Sequence, residues 1–228
     1  MADGSTGPLR GWYDIHTALR VEVAKLRAEV AQLPSDANGL AAVDGRFDFL
    51  RQVVTAHSTA EDAVLFPAMR ARGIDVPDAI TSDHRTELGI LYDIHRSLVE
   101  LRLDREHTAT SAARAVVAET TRVFEDNLVA HIRLEEDELV PPLFERFDDD
   151  EQAALFAKIL ASDPPELVPR LLPWMLESIS AEHRATEIED LHKSLPPELF
   201  TGIADLLEAT LSREMWTDLE QRLPDVLG

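Results

Sequence analysis

The chain consists largely of long segments in which apolar residues recur at every third or fourth position. This spacing is typical of an α-helix with one apolar face, and the strict alternation expected of a β-strand is not evident. Breaks rich in proline, glycine or polar residues separate the segments, so the sequence predicts several helices that bury their apolar faces against one another. We therefore expect an all-α fold, and 228 residues suffice for a substantial hydrophobic core.

Four long helices are predicted in the first two thirds of the chain. The connections between them are short, which favours an antiparallel bundle whose helices run alternately up and down. Beyond residue 147 the helical segments become shorter and prolines interrupt them. We predict a four-helix bundle over residues 1–147 and a helical appendage over residues 148–228 that packs on it. The four predicted helices cover roughly residues 8–33, 44–73, 77–103 and 111–141.

The amino-acid composition restricts both the partners and the metal chemistry of the chain. It has 43 acidic and 22 basic residues, a formal net charge of -21 that repels phosphate backbones, so no nucleic-acid partner is expected. It has no cysteine, which excludes disulfides, thiolate nucleophiles and cysteine-ligated zinc or iron–sulfur sites. A metal bound by this chain must therefore be held by imidazoles and carboxylates.

Neither a membrane span nor a secretory signal is evident in the sequence. No apolar stretch is long enough to cross a bilayer, and the first residues lack the basic-then-apolar order of a signal peptide. We therefore expect a cytoplasmic protein without a membrane partner. Both a monomer and a homodimer are compatible with the sequence.

An internal repeat provides the first candidate ligands for a metal. AHSTAEDAVLFP at residues 56–67 and AHIRLEEDELVP at residues 130–141 share Ala-His, then a Glu followed by a second acid, and a Leu and a Pro near the end. Each His precedes the Glu by four residues, so both side chains leave one helix face about 6 Å apart and are able to bind one ion. The two pairs are His57 with Glu61 and His131 with Glu135.

A third His-Glu pair, His183 with Glu187, has the same spacing but lacks the rest of the repeated pattern. In an acidic chain with 8 histidines, about one such pair is expected by chance, so spacing alone is weak evidence. We interpret this third pair as a solvated pair on a helix surface.

Two further histidines are candidate ligands because of their position along the axis of the predicted bundle. Each helical residue adds about 1.5 Å along this axis, so residues equally far from a connecting loop lie level on neighbouring helices. His16 and His57 lie about 21 and 20 residues from the centre of the first loop, so they are nearly level. His84 and His131 lie about 23 and 24 residues from the centre of the third loop and are also level. His95 would be displaced from His131 by about 18 Å, too far for a shared metal site.

The resulting candidate site combines four imidazoles with two carboxylates. Carboxylates can bridge two ions and imidazoles complete their coordination, a mixture that suits two iron ions, with manganese or zinc less favoured. Six protein ligands leave positions open for water, dioxygen, peroxide or nitric oxide. Asp14 and Glu87 are candidates for orienting the ligand imidazoles. The predicted metal ligands are His16, His57, Glu61, His84, His131 and Glu135.

These residues resemble the hemerythrin-like, or HHE cation-binding, family. The order His, HxxxE, His, HxxxE with a Leu-Phe-Pro-type tail carries the resemblance, which covers about residues 8–147. It implies an antiparallel four-helix bundle around an oxo- or hydroxo-bridged, non-haem di-iron centre, with Glu61 and Glu135 as bridging carboxylates. It also implies two imidazoles for each iron, His16 and His57 on one and His84 and His131 on the other.

One departure from the family pattern bears on function. Oxygen-carrying hemerythrins have a further histidine four residues after the third-helix histidine, where this chain has Leu88. The chain is thus more similar to bacterial hemerythrin-like proteins and to the iron-sensing hemerythrin domain of an F-box protein, and reversible oxygen transport is not the expected function.

Three functional hypotheses remain. In the first, a di-iron protein binds or reacts with dioxygen, peroxide or nitric oxide in a sensing, scavenging or redox role, with a redox partner. In the second, a di-iron oxygenase or oxidase acts on a small organic substrate. In the third, the chain is an iron store, an iron donor or an iron-responsive module.

Overall fold

All regular secondary structure in the part of the chain that the structure describes is helical. The structure is a computed structural model and describes residues 7–33, 37–103 and 111–227. The prediction of an all-α fold is confirmed, whereas the up-and-down order of the bundle stays a prediction. The predicted breaks at residues 34–36 and 104–110 lie outside the described residues.

A short π-helical turn and a series of α-helices make up the fold. The π turn covers Glu61–Leu65 and lies between the second and third α-helices. The α-helices are α1 (Arg10–Ala31), α2 (Ala37–Ala60), α3 (Phe66–Ala71), α4 (Asp78–Leu103), α5 (Ser111–Glu138), α6 (Val140–Arg146), α7 (Asp149–Ser162), α8 (Val168–Ser178), α9 (Ala181–Ser194), α10 (Pro197–Thr210), α11 (Arg213–Arg222) and α12 (Pro224–Leu227).

The helices belong to two compact units. The central unit comprises Leu19–Pro141, and the terminal unit comprises Met1–Ala18 with Pro142–Gly228, so α1 contributes residues to both. The predicted domain boundary at residue 147 stays a prediction. Within the described residues, no helix combines the length and the hydropathy that crossing a bilayer requires.

In the central unit, one face of each long helix is buried. The buried residues of α4 are three or four positions apart, the spacing of a single helix face. Two of them, His84 and Glu87, are polar, and the others are apolar. The buried residues of α4 are Ile80, His84, Glu87, Leu91, Ile94, Leu98 and Leu101.

Two apolar residues of the long helices are exposed in the structure. Leu88 of α4 is 39% exposed and Val116 of α5 is 53% exposed. Their chain neighbours Glu87 and Val117 are buried instead. Adjacent helical positions point about 100° apart, so an error of one position moves a side chain from the core to the surface.

The second helix starts earlier than the sequence predicts. It begins at Ala37, not near residue 44, although Gly39 weakens a helix. Leu40 and Val43 are 8% and 3% exposed, so their burial extends the apolar face of α2 toward its start. Tertiary burial thus outweighs the local preference of the glycine.

A π turn interrupts the same predicted helix after residue 60. Pro67 has no backbone N–H, and its ring conflicts with the carbonyl group of residue 63 in a regular α-helix. In the π turn, the Phe66 N–H donates to the Glu61 carbonyl five residues earlier, which is the π-helical pattern. Such turns are frequent at functional sites. Glu61, whose side chain is buried, is the first residue of the turn.

The terminal unit has a hydrophobic core of its own. Ser180 and Ser212 cap α9 and α11 by accepting backbone hydrogen bonds, and Asp148 forms a capping box at the start of α7 with Glu151. These caps fix where the short helices begin. The residues of one core cluster are Leu176, Ile179, Ile188, Leu191, Phe200, Leu207, Leu211, Leu219 and Leu223.

Replacement of Gly11 by alanine is expected to destabilise the protein. A Cβ atom on Gly11 would lie 2.7 Å from Glu187 Oε1 and 3.2 Å from Phe156 Cε2 in the terminal unit. Overpacking of this kind costs about 1–3 kcal/mol of unfolding free energy, and urea denaturation measures it. The control is Gly202→Ala on α10, where a Cβ meets nothing within 4 Å. That variant should gain about 0.5–1 kcal/mol, because alanine favours a helix. Equal effects in the two variants would contradict the close packing at Gly11.

Candidate metal centre

Five of the six predicted ligands lie together in the central unit. His57 lies near the end of α2, and Glu61 follows it at the start of the π turn. His84 is on α4, and α5 carries His131 and Glu135. None of the five side chains is more than 9% exposed. Charged and polar groups buried to this degree need partners or a metal ion.

Glu61 lies between two imidazoles that come from different helices. Its Oε1 atom is 3.3 Å from His57 Nε2, and its Oε2 atom is 3.3 Å from His84 Nε2. A carboxylate that presents one oxygen to each of two imidazoles is placed to bridge two metal ions.

Glu135 repeats this arrangement on α5. Its Oε1 atom is 3.3 Å from His131 Nε2 and 3.9 Å from His84 Nε2. One donor atom each from Glu61, His84, His131 and Glu135 lies within 4.8 Å of the others. Donor atoms of His57, Glu61 and Glu135 meet the same limit. The two carboxylates are therefore common to both groups of donors.

The two histidines of α4 and α5 are held by aromatic packing. The rings of His84 and His131 have centroids 4.8 Å apart and planes tilted by 60°. The ring of Phe66 stacks on His84 at 5.8 Å, with planes only 10° apart. Because Phe66 directly follows the π turn, the turn positions both Glu61 and the ring that supports His84.

Two further carboxylates lie near the outer nitrogens of these imidazoles. Asp62 Oδ1 is 3.2 Å from His84 Nδ1, and Asp83 Oδ2 is 3.8 Å from His131 Nδ1. A carboxylate at this position fixes the ring orientation and the tautomer of a metal-binding histidine. Sequence reasoning missed both residues. An acid does follow the Glu in both copies of the repeat, and this signal singles out Asp62.

Without a metal ion, the buried imidazoles of this site would bind protons strongly. Burial opposes the protonation of His84, but the adjacent Glu61 carboxylate outweighs it and raises the pKa of His84 to about 9. Burial also opposes the protonation of His131, and there the Glu135 carboxylate raises the pKa to about 9. Burial raises the pKa of Glu87 to about 7, although the charges of His131 and His84 act to lower it. A metal ion must therefore displace protons from this site.

The sixth predicted ligand, His16, belongs to the terminal unit. It is fully buried on α1, and its ring packs edge-on against Trp12 with centroids 4.9 Å apart. Its role as a ligand stays a prediction. Asp14, one of the two residues considered for orienting a ligand imidazole, faces His183 Nδ1 at 3.2 Å in the same unit.

The interpretation of His183 and Glu187 as a solvated pair is wrong. Glu187 is only 3% exposed, and His183 contacts Asp14. Burial, followed by the charges of Asp14 and Asp190, raises the pKa of Glu187 to about 8. Its carboxyl group is therefore protonated at neutral pH, and this neutral form is tolerated in the interior.

The remaining histidines have other surroundings. His95 stacks on Phe47 with centroids 6.3 Å apart, and His192 packs edge-on against Phe200. Among the described residues, neither belongs to a group of donors close enough to hold a metal ion. His107 lies outside the described residues.

The donor set fits a transition-metal ion. Buried imidazole nitrogens and carboxylate oxygens converge, and the chain offers no cysteine to compete with them. Such mixed nitrogen and oxygen ligands suit iron, manganese or zinc. Carboxylates shared between neighbouring imidazoles also suit a pair of ions.

Comparison with known proteins agrees with this geometry. The family model of the hemerythrin HHE cation-binding domain matches residues 7–143. Among curated proteins, two zinc finger proteins of Arabidopsis thaliana named BRUTUS-like are 25% and 27% identical over 194 and 197 residues. Each of these matches covers 85% of this chain and 15% of the relative.

Zinc finger protein BRUTUS of the same plant is 31% identical over 153 residues, which cover 67% of this chain and 12% of the relative. The chain thus spans about 15% or less of the length of these curated relatives. No solved structure matches the chain. The family model covers more than half of the sequence, and all the residues of the buried donor cluster lie inside the match. The chain therefore belongs to the hemerythrin HHE cation-binding domain family.

Proposed function

We propose that this chain is a non-haem di-iron protein that binds or reacts with dioxygen, peroxide or nitric oxide. One observation carries the proposal. The two oxygens of Glu61 face imidazoles on different helices, each at 3.3 Å, which is the arrangement expected of a carboxylate that bridges two ions. Glu135 is common to the same two groups of donors and supports a second bridge.

The contacts within the central unit support one assignment of ligands. His84 and His131 would hold one ion and His57 the other, and Glu61 and Glu135 would supply oxygens to both. His16 stays a predicted ligand. Six protein ligands do not fill the coordination of two iron ions, so positions remain for small molecules. When bound, the iron pair supplies reversible one-electron chemistry and Lewis acidity. The protein supplies the fixed imidazoles and a buried surrounding that excludes bulk water.

Spectroscopy of the iron-loaded protein tests this proposal. The chain is loaded with Fe²⁺ without oxygen, and dioxygen, hydrogen peroxide and nitric oxide are then added in separate samples. We expect a change in the visible spectrum with at least one reagent, with iron at about two ions per chain by elemental analysis. The same additions to His84→Ala should give a much smaller change. Iron-loaded protein whose spectrum responds to none of the three reagents would contradict the proposal.

The same samples separate the proposed roles. Rapid loss of peroxide with evolution of oxygen indicates a catalase-like activity. Oxygen uptake that requires an added organic compound indicates an oxygenase or oxidase. A stable adduct without turnover indicates a sensing role.

A second candidate function, an iron-responsive module, is favoured by the burial of the ligands. Glu61 and Glu135 are 1% and 0% exposed. Burial of carboxylates is unfavourable without a compensating charge, so metal occupancy should change the stability of the central unit strongly. The response of the melting temperature to metal, described in the Discussion, tests this candidate.

A further inference from the structure

Asp62 follows Glu61 in the π turn and reaches from the surface to the metal centre. Its side chain is 48% exposed, whereas that of His84 is only 3% exposed. Its Oδ1 atom is 3.2 Å from His84 Nδ1, which is within hydrogen-bond distance. A half-exposed carboxylate therefore lies against an imidazole of the interior.

The two nitrogens of His84 face different groups. Nε2 is 3.3 Å from Glu61 Oε2 and 3.9 Å from Glu135 Oε1, so it points into the donor cluster. Nδ1 is buried and makes no aligned hydrogen bond within the part of the chain that the structure describes. A buried N–H group needs an acceptor, and a small rotation of the half-exposed Asp62 side chain supplies one.

The acid beside the neighbouring imidazole is farther away. Asp83 Oδ2 is 3.8 Å from His131 Nδ1, which exceeds hydrogen-bond distance. The Asp83 side chain is 41% exposed, close to the value for Asp62. The two acids thus have the same charge and similar exposure, but they differ in their distance from an imidazole.

The corresponding acid in the second copy of the repeat has a different contact. Glu136 occupies the position of Asp62, and its Oε2 atom is 2.5 Å from Arg20 Nη2. Glu136 lies in the regular helix α5, whereas Asp62 lies in the π turn. The contact between Asp62 and His84 therefore depends on the backbone of the π turn and not on the repeated sequence alone.

We propose that Asp62 is a positioning residue that holds His84 in the orientation required for metal binding. This inference rests on the proposed di-metal centre and deepens it. The stacked ring of Phe66 fixes the plane of the imidazole, but it does not determine which edge points inward. Asp62 accepts a hydrogen bond from the Nδ1–H group of His84, so Nε2 is the nitrogen that faces the ion.

Metal titration of the full chain with Co²⁺ tests the proposal. Co²⁺ is paramagnetic and displaces the NMR signals of its ligands, so the N–H protons of bound imidazoles are observed separately. Asp62→Ala removes the carboxylate, and Asp62→Asn keeps an oxygen acceptor without the charge. Asp83→Ala is the matched control. Binding constants, exchange of the imidazole N–H protons with water and helix content by circular dichroism are measured for each variant.

We expect Asp62→Ala to weaken binding of one of the two ions by about tenfold or more, the usual effect of removing a group that orients a ligand. One imidazole N–H signal should exchange faster with water, because its acceptor is lost. Asp62→Asn should recover part of the affinity and slow the exchange of this signal. Asp83→Ala should weaken binding by less than about fivefold, the range of a surface charge pair, and keep every N–H signal.

Other outcomes overturn the proposal. Parental affinity and unchanged N–H exchange in Asp62→Ala would show that Asp62 does not position His84. Equal weakening in Asp62→Ala and Asp83→Ala, with N–H exchange unchanged, would show that only negative charge near the centre matters. If Asp62→Ala loses helix content, Asp62→Asn decides, and parental affinity and exchange in that variant would refute the role. A parent chain that binds no Co²⁺ would instead overturn the proposed function itself, which the other outcomes leave standing.

Discussion

Replacement of His84 by alanine is expected to remove at least one ion from the proposed di-iron centre, whereas the same change at His95 should remove none. Both histidines lie on α4, so the two variants differ mainly in what the imidazole faces. His84 Nε2 is within 3.9 Å of both Glu61 and Glu135, while His95 stacks on Phe47. Loss of a direct ligand should weaken binding by more than about 100-fold, the upper range for a residue that only orients a ligand.

Elemental analysis and a competition titration with a chelator measure this effect. The parent should contain about two irons per chain, His95→Ala the same number, and His84→Ala one or none. Circular dichroism shows whether each variant keeps its helices. A fully loaded His84→Ala protein, or equal iron loss in both variants, would refute the assignment of the centre.

Removal of the metal is expected to lower the melting temperature of the iron-loaded protein by about 8–16 °C. Metal present at about 1,000 times its dissociation constant stabilises the folded state by about 4 kcal/mol. For a chain of this size, each kcal/mol corresponds to about 2–4 °C in melting temperature. Scanning calorimetry before and after chelation measures the shift, with metal-depleted His84→Ala as the control that should not respond. A parent protein that melts at the same temperature in both forms would exclude the iron-responsive role.

The difference in melting temperature between the metal-loaded and the metal-depleted protein should grow as the pH rises from about 6.5 to 9. The raised pKa values of His84 and His131, each about 9 against 6.5, mean that protonation of these imidazoles stabilises the folded metal-free protein. That contribution is complete below pH 6.5 and is lost as the pH passes through 9. Metal binding replaces these protons and becomes more favourable at higher pH. A difference in melting temperature that shrinks over this range would contradict the assignment.

Sequence patterns were sufficient to predict the class of the fold and to select the residues of the buried cluster of histidines and glutamates. Helical spacing predicts α-helices because burial of one face is what stabilises them. The repeat singled out His57 with Glu61 and His131 with Glu135, since a helix turn brings such pairs together. Counting along the helices then selected His84 over His95, and the structure brings His84 and His131 into ring contact. Their function as metal ligands stays a prediction.

Other features depend on tertiary contacts that no local pattern encodes. Leu88 is more apolar than Glu87, so a reading by hydrophobicity places the leucine inside, yet the glutamate is the buried residue. The imidazoles of His131 and His84 act on the charge of this carboxylate, and no local sequence pattern encodes that proximity. Likewise, Glu187 looks like a surface residue in the sequence, yet it is 3% exposed and packs closely against Gly11.

The π turn has a consequence for how the central unit tolerates changes in chain length. Each helical residue rotates the chain by about 100°, and a π turn holds one residue more than an α-helical turn. The π turn therefore sets the direction of the Glu61 side chain relative to the fully buried Phe66 and Met69. A deletion of one residue in Glu61–Leu65 would turn either the carboxylate or these core side chains outward. The second copy of the repeat has the same number of residues as the first. In that copy the junction of two α-helices takes the place of the π turn, because α5 ends at Glu138 and α6 begins at Val140. Substitutions in this segment should therefore be tolerated more readily than insertions or deletions.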